Sequence, residues 1–237
     1  MADAGMRSPV GRAHGALGSL ADRGVSVIIP AYEDCARLRR AIWSVQQTAD
    51  MPYELLVSCA PRCVAANRNA GLARATQDLV AMMDDDVLLP ACWMSRLAGV
   101  LAAHADIAAA SGHLVFPDGS PQSRREHLAD GELWDVTIPG TCFLYSRERV
   151  GNQRFDEGYV GSQWEDTDWM WQVRKRGLRT VVVGGVRVVH DYVLREPAGL
   201  EANMRRFHER WGRLPGAEDA HAIELQDWKA WTRPPLP

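Results

Sequence analysis

The feature that most constrains the fold is an apolar run that ends abruptly in three consecutive carboxylates. Residues 80–83 are apolar, residues 84–86 are all aspartate, and apolar residues resume at Val87. This pattern predicts a buried strand with acids at its carboxyl end, where open α/β sheets bind ligands. Adjacent carboxylates repel one another unless a cation lies among them, and hard divalent metals prefer oxygen ligands. A solvated acidic loop is the alternative that this stretch alone leaves open.

Length and composition allow one sizeable domain and argue against several classes of protein. The chain has 237 residues, of which 46% are hydrophobic and 24% charged, and its formal net charge is −3. These values are ordinary for a soluble globular protein and give no electrostatic footprint for nucleic acid. No stretch approaches the roughly 20 apolar residues of a membrane span. Five cysteines without paired metal-ligand spacing predict buried free thiols in a reducing cytoplasm.

Segments typical of strands and helices alternate through the first half of the chain. Four short apolar runs predict strands at 25–30, 53–58, 78–83 and 107–111. Apolar residues at helical spacing predict helices that begin near residues 34, 64 and 93. The order βαβαβ predicts an α/β fold with a doubly wound, mostly parallel sheet and flanking helices. The Gly-rich dinucleotide fingerprint is absent after the first strand.

The second half predicts shorter extended segments and further helices. Extended segments at 112–116 and 134–146 predict a small antiparallel sheet. Ser162 with Glu165 matches a capping box, which predicts the start of a helix. Two short strands are expected on either side of the glycines at 184–185.

These segments predict one main domain between two appendages. Residues 1–24 are rich in Gly, Ala and Arg without an apolar centre, which predicts a flexible arm and no signal peptide. The main domain is expected at 25–211, with its halves at 25–111 and 112–211. The stretch 212–237 is expected to be a tail that packs on the core, closes over a substrate or mediates a homodimer through Trp228 and Trp231.

Five short motifs follow one another in a fixed order along the chain. They are Pro-Ala-Tyr at 30–32, Asn-Arg-Asn-Ala-Gly at 67–71, Met-Asp-Asp-Asp at 83–86, Phe-Asp-Glu at 155–157 and Glu-Asp-Thr-Asp at 165–168. Their order and spacing resemble the family 2 glycosyltransferases with the GT-A fold. The resemblance covers roughly residues 25–211, and it makes 25–111 the nucleotide-binding half and 112–211 the acceptor half.

The resemblance implies roles for individual residues. The metal would be held by Asp84, Asp86 and His190, and the catalytic base would be Asp166 beside Glu165. The residues expected to contact substrates are Pro30, Ala31, Tyr32, Ser58, Arg68, Asp84, Asp85 and Trp164. One departure concerns the end of the second strand, where family members usually carry an aspartate that binds the base. Here Ser58 and its neighbours supply no acid, so the identity of the nucleotide is in doubt.

The chemistry of glycosyl transfer requires the same kinds of residue, independently of the resemblance to the family. A divalent cation must neutralise the departing diphosphate, and Mn²⁺ tolerates mixed oxygen and imidazole ligands better than Mg²⁺. A carboxylate such as Asp166 must take the proton of the acceptor hydroxyl. Water must be kept out, and Trp134, Trp164 and Trp169 could form an apolar wall for a sugar ring. Structural roles remain open for Glu165 as a helix cap and for Asp166 as a first-turn acid.

The sequence therefore predicts a metal-dependent, inverting glycosyltransferase that uses a nucleotide-diphosphate sugar, with UDP favoured. Its acceptor is expected to be a soluble small molecule, and its location the cytoplasm. A retaining enzyme of the same fold and a non-catalytic nucleotide-sugar binding module stay open. A sugar nucleotidyltransferase is disfavoured because the loop after the first strand, residues 30–34, is acidic where that class needs a Gly-rich basic loop.

Overall fold

The computed structural model describes residues 23–122, 127–136, 141–191 and 199–214. Most of the predicted arm and most of the tail, with Trp228 and Trp231, lie outside these ranges. Within them, eight strands form one sheet, and six helices accompany it. None of the helices in these ranges is long and apolar enough to cross a membrane.

The elements follow the predicted alternation closely in the first half. The strands are β1 (Val25–Ala31), β2 (Tyr53–Cys59), β3 (Leu79–Met83), β4 (Val87–Leu88), β5 (Ile107–Val115), β6 (Leu133–Asp135), β7 (Cys142–Ser146) and β8 (Arg179–His190). The helices are α1 (Ala36–Thr48), α2 (Val64–Leu72), α3 (Trp93–Ala103), α4 (Arg147–Val150), α5 (Glu165–Lys175) and α6 (Leu200–Trp211).

The sheet is mostly parallel, with antiparallel strands added within it. Its order is β2-β1-β3-β7-β5-β8-β4, and β6 also pairs with β8. β1 runs parallel to β2 and β3, and β5 runs parallel to β8, whereas β7 is antiparallel to both β3 and β5. The antiparallel strands β4 and β6 also join this sheet. The α/β sheet with flanking helices is confirmed, and its antiparallel part is continuous with the parallel part.

Helices cover both faces of the sheet. α1 and α3 bury Leu38, Val45 and Leu97 against one face, and α2 and α5 bury Ala65 and Val173 against the other. Interior strands are therefore apolar on both sides, as the continuous runs in the sequence predict. The carboxyl ends of β1, β2 and β3 meet at one edge, which this layering leaves accessible.

Two predictions about local structure are wrong. The two short strands expected around residues 184–185 are one strand, β8, whose pairing with β5 shifts from Gly112↔Val183 to His113↔Arg187. The expected capping box is not formed either. α5 begins at Glu165, with Trp164 at its N-cap, so Glu165 is the first residue of the helix and not the third, and its carboxylate binds Arg68.

The cysteines are free but not uniformly buried. Cys142 is buried, whereas Cys59 and Cys92 are exposed and Cys35 and Cys63 are half-buried. The expectation of buried thiols therefore holds for one residue, since the other four lie at the ends of elements where chain turns reach solvent.

Candidate active site

The three aspartates follow β3 at the edge where the parallel strands end. There the Asp84 backbone N–H donates to the Thr141 carbonyl oxygen at 3.0 Å, and the chain turns into β4. The side chains of Asp84 and Asp86 are 27% and 17% exposed. Both carboxylates can thus meet a ligand in the crevice outside the sheet while their backbone is held by buried strands.

Arg68 of α2 lies between two acids that come from distant parts of the chain. Its Nη2 donates to Asp84 Oδ1 at 2.8 Å, and its Nη1 donates to Glu165 Oε1 at 2.7 Å. The guanidinium lies over the Phe155 ring, 5.2 Å from its centroid. Burial acts to lower the pKa of Arg68, but the carboxylates of Asp84 and Glu165 raise it, so Arg68 stays charged.

Burial also raises the pKa of both carboxyl groups that Arg68 contacts. The pKa of Asp84 lies above its ordinary value because burial and the nearby Asp86 and Asp166 outweigh the attraction of Arg68. Burial raises the pKa of Glu165 to about 8, with Arg68 opposing this and Asp166 adding to it. These mutual effects mean that the predicted acids of β3 and α5 form one cluster around Arg68.

The two predicted catalytic acids differ in access. Glu165 is 3% exposed, and its Oε2 is buried without a hydrogen-bond partner. Asp166 is half-buried, and its Oδ1 accepts a hydrogen bond from the Thr167 backbone N–H at 2.6 Å. Of the two, Asp166 is therefore the one that a substrate hydroxyl can approach, whereas Glu165 holds Arg68.

His190 lies at the same edge, beside the last of the three aspartates. Its Nε2 lies 3.4 Å from Asp86 Oδ1, and its ring is 3% exposed. Its Nδ1 lies 2.9 Å from Gln122 Oε1, while Gln122 Nε2 donates to the His190 carbonyl oxygen at 2.7 Å. Because Gln122 uses its donor on that carbonyl, its oxygen accepts from the Nδ1–H. This arrangement directs Nε2 towards Asp86.

The residues at this corner fit a divalent cation. Asp86 Oδ1 is buried and has no hydrogen-bond partner, and it lies beside a histidine whose other ring nitrogen is held by an amide oxygen. Metal-ligating histidines commonly have such a partner. Among the described residues, no group of three or more His, Cys, Asp or Glu converges on one point. Further ligands would come from substrate oxygens or water, since Asp84 Oδ1 is engaged by Arg68.

The ends of β1 and β2 form the other wall of the crevice. Pro30 and Ala31 are in register with Ser58 and Cys59, and Tyr32 follows with its side chain 65% exposed. Asn67 of α2 joins these strand ends, since its Nδ2 donates to the carbonyl oxygens of Ala31 and Ala60, both at 2.9 Å. Tyr32 and Ser58 thus lie at the wall of the crevice where a nucleotide is expected to bind. Their contacts with it stay predictions.

Ser58 takes part in a polar group that sequence reasoning missed. Asn67 Oδ1 accepts from Arg62 Nε at 2.6 Å and from Ser58 Oγ at 3.4 Å, and Arg62 Nη2 donates to Ser58 Oγ at 3.2 Å. A guanidinium therefore lies at the strand end that has no aspartate. The sequence signal for this guanidinium was Arg62, four residues after Ser58, in the region where family members usually carry an aspartate.

The remaining asparagine of α2 holds the Phe-Asp-Glu motif. Asn69 Nδ2 donates to the Phe155 carbonyl oxygen at 2.9 Å and to Glu157 Oε1 at 2.8 Å, and Asn69 Oδ1 accepts from the Phe155 N–H. Three consecutive side chains of α2 thus fix three different parts of the site. The signal in the sequence was a polar triplet, 67–69, inside an otherwise small and apolar helix.

α1 adds a positive charge that the sequence analysis did not include. Burial acts to lower the pKa of Arg37, but the charge of Asp85, a hydrogen bond with Cys35 and the charge of Asp86 raise it. Arg40 forms an ion pair with Asp191, the residue after β8. The first turns of α1 therefore border the acidic strand tip with cations.

Two of the tryptophans proposed for a sugar-binding wall are buried in the core. Trp169 is fully buried and stacks on Phe155, with ring centroids 5.5 Å apart. Trp164 is 5% exposed and packs on Phe207 at 5.2 Å. Both rings stabilise the packing of α5 and have no open face, whereas Trp134 is half-buried in β6.

Comparisons with known proteins agree with this geometry. The model of Glycosyl transferase family 2 matches residues 61–160. The crystal structure of GalNAc-T7 with UDP, GalNAc and Mn²⁺ superimposes with a TM-score of 0.60 and 15% identity, covering 80% of this chain and 48% of that one. A197 from STIV superimposes with a TM-score of 0.51 and 16% identity, covering 72% of this chain and 86% of that one. No curated protein matches the sequence.

The matched segment contains the polar triplet of α2, β3 and the three aspartates. This chain spans about half the length of the GalNAc-T7 chain, 48%. At such low identity the structural likeness shows the fold, and the family model matches less than half of the chain. The prediction from the five motifs is confirmed in that the chain has the GT-A glycosyltransferase fold and its residues 61–160 are similar to Glycosyl transferase family 2.

Proposed function

We propose that the protein transfers a sugar from a nucleotide-diphosphate donor, with UDP favoured, to a hydroxyl group of a small-molecule acceptor. The observation that carries this proposal is the convergence of two groups at the carboxyl edge of the sheet. One is the Asp86–His190 corner that fits a divalent cation, and the other is the acid cluster around Arg68.

The donor is assigned by chemistry and by likeness. A diphosphate needs positive charge beside it, which the Asp86–His190 corner can supply by holding Mn²⁺ or Mg²⁺. When bound there, the cation would neutralise the charge that develops on the leaving diphosphate. A GT-A relative of the same fold was crystallised with UDP and Mn²⁺, which favours a UDP-sugar and manganese.

Proton transfer is assigned to Asp166. The acceptor oxygen attacks the anomeric carbon, the bond from that carbon to the diphosphate breaks, and the hydroxyl proton passes to the Asp166 carboxylate. Asp166 is the accessible acid of the pair, and a single base on the acceptor side favours one displacement with inversion. Glu165 and Arg68 support this site by fixing the Asp84 side chain and the start of α5.

We propose that the acceptor is a soluble small molecule and that the protein acts in the cytoplasm, where its five free cysteines would stay reduced. A sugar nucleotidyltransferase gains no support, because cations near the strand tip come from α1 and not from a Gly-rich basic loop after β1.

Titration calorimetry with UDP, GDP and dTDP, each with and without Mn²⁺, tests the donor site. We expect one nucleotide to bind tightly with Mn²⁺ and weakly after chelation. Asp86→Asn should remove the dependence on Mn²⁺, whereas Asp118→Asn, on an exposed turn, should leave it intact. If none of the three nucleotides binds with Mn²⁺ present, the proposed function is wrong.

A transfer assay with the matching nucleotide sugar then tests catalysis. Release of the nucleoside diphosphate in the presence of acceptor mixtures, above the rate with donor alone, is the expected result. If the protein binds the nucleotide sugar but no nucleoside diphosphate is released, it is a binding module and not an enzyme.

A further inference from the structure

The chain is strained immediately before the two acids of α5. Gln163 and Trp164 both adopt left-handed backbone conformations, with φ of 77° and 76°. Residues with a Cβ seldom adopt this region, and they stay there only where surrounding contacts hold them. Because Glu165 and Asp166 follow at once, whatever holds residues 163 and 164 also sets the position of these carboxylates.

Asn203 of α6 holds this segment through one buried amide. Its Oδ1 accepts from the Val160 N–H at 2.8 Å. Its Nδ2 lies 2.9 Å from the Val160 carbonyl oxygen, 3.3 Å from that of Ser162 and 3.1 Å from that of Gln163. Asn203 is 1% exposed. A single side chain thus contacts four backbone groups of residues 160–163.

The rest of the same helix face holds the flanking residues. Side chains at helical spacing form one face of α6, which consists of Asn203, Arg206, Phe207, Arg210 and Trp211. Arg206 donates to both oxygens of Asp156, at 2.8 and 3.0 Å. The Phe207 ring packs on Trp164, and Trp211 Nε1 donates to Asp168 Oδ1 at 2.8 Å.

Gly199, at the start of α6, lies so close to Val160 that no side chain fits at position 199. A Cβ on Gly199 would lie 2.7 Å from the Val160 Cβ, and Gly199 has φ of +88°. The helix therefore begins in direct contact with the residues that Asn203 binds. α6 and residues 156–168 form one packed unit whose central polar contact is Asn203.

We propose that Asn203 is a positioning residue for glycosyl transfer. It holds residues 160–163 so that Gln163 and Trp164 keep their left-handed conformations and α5 presents Asp166 to the substrates. The inference rests on the proposed function in that Asp166 is the base. The side-chain amide of Asn203 contacts the backbone of residues 160–163, and we expect it to act on Asp166 through that backbone.

The test uses three variants of the full chain. Asn203→Ala removes all four hydrogen bonds. Gln163→Gly removes the Cβ that makes the left-handed conformation costly, so it lowers the need for the amide. The double variant Gln163→Gly/Asn203→Ala asks whether relief of the strain at residue 163 replaces the missing contact. Asn152→Ala, an exposed asparagine outside the segment, is the matched control.

The first readouts are kcat and KM with the nucleotide sugar that the wild type turns over, together with UDP·Mn²⁺ affinity by calorimetry. For Asn203→Ala we expect kcat to fall about 10- to 100-fold, since small misplacements of a reacting group are costly. KM and UDP affinity should change by less than about threefold, because the strand-tip site is untouched. The double variant should recover kcat to within about fivefold of the wild type.

The second readout is amide hydrogen exchange over residues 160–166, which needs no turnover. Exchange there should be faster in Asn203→Ala and return towards the wild-type rate in the double variant. If the wild type turns over no donor, the proposed function fails, and the exchange data still decide whether Asn203 holds the segment.

Two results would overturn the proposal. One is an unchanged kcat or unchanged exchange in Asn203→Ala. The other is a loss of UDP affinity as large as the loss of kcat, which indicates general disruption of the fold. If Asn203→Ala does not fold, the double variant is compared with the wild type, and a kcat more than about fivefold lower or faster exchange in the double variant would contradict the role.

Discussion

The two sides of the site are built in different ways. Asp84 and Asp86 follow β3, and His190 is the last residue of β8, so hydrogen bonds of the sheet fix the backbone on this side. Asp166 follows a strained turn whose conformation depends on side chains of a helix that lies about forty residues later in the chain, with Asn203 and Val160 separated by 43 positions. The difference teaches that the binding side is held by backbone hydrogen bonds between strands, whereas the proton-transfer side depends on contacts made by side chains.

Arg68 is the link between these two sides. It donates to Asp84 on the strand side and to Glu165 on the helix side, and it is 3% exposed. A buried charge with two charged partners couples their positions, because removal of any one leaves the others uncompensated. Separate tests of the strand side, of the helix side and of Arg68 can therefore show whether the two sides of the site act independently.

The largest expected effect comes from Asp166→Asn. This change should reduce transfer about a hundred- to ten-thousand-fold, because it removes the proton acceptor. UDP·Mn²⁺ affinity should stay the same, since Asp166 lies on the helix side. Calorimetry and a transfer assay on the same preparation measure the two quantities. Transfer at nearly the wild-type rate would show that the base assignment is wrong.

Arg68→Met should have the largest effect on stability. It leaves the buried Glu165 and Asp84 without their cation, and the free energy of unfolding should fall by about 3–5 kcal/mol. Denaturant unfolding measures this loss. Adding Glu165→Gln should recover part of it, because one of the two uncompensated charges is then removed.

The matched control for Arg68 is Arg39→Met, which breaks the exposed ion pair with Asp34, where both side chains are more than 60% exposed. The expected cost is below about 1 kcal/mol. Equal losses in both variants would contradict the view that Arg68 joins the two sides.

A smaller effect is expected when the partner of His190 is changed. Gln122→Met keeps a side chain of similar length but removes the acceptor for Nδ1–H, so the ring can turn away from Asp86. We expect Mn²⁺ affinity in the presence of UDP to fall about 10- to 100-fold. Metal titration monitored by calorimetry checks this, with the exposed Gln46→Met as control. An unchanged affinity would remove His190 from the predicted metal ligands.

The smallest effect is a change in pH dependence. Burial raises the pKa of Glu165 to about 8 in the folded protein from 4.5 in the absence of such burial. The folded state therefore binds this proton more tightly than the unfolded state. Glu165 contributes most to stability below pH 4.5, and this contribution is lost as the pH rises towards 8.

Glu165→Gln removes this dependence. The free energy of unfolding of the wild type should fall relative to that of Glu165→Gln by at least about 1.4 kcal/mol across this range, because that is the free energy equivalent of a single pKa unit. Urea unfolding at pH 5 and at pH 8 tests it. Parallel curves for the two proteins would contradict a raised pKa.

The strand side was largely predictable from sequence, and the helix side was not. Apolar runs with acids at their ends are local patterns, so neighbouring residues alone predict β3 and the aspartates after it, whereas His190 was predicted from the resemblance to the family. The contacts of Gln122 with His190 and of Asn203 with Val160 span 68 and 43 residues, and no local pattern encodes them. The capping box failed because α5 begins at Glu165, which is thus the first residue of the helix and not the third.

α2 makes the site depend on the rotation of one short helix. Successive residues of an α-helix point about 100° apart, and Asn67, Arg68 and Asn69 use this spacing to reach the strand ends, the acids and the Phe-Asp-Glu motif. Gly71 sets the depth, because a Cβ there would lie 2.4 Å from Ile28 Cγ2. Inserting or deleting one residue before position 67 would turn all three side chains away together. The site tolerates substitution at single contacts better than any change in the length of α2.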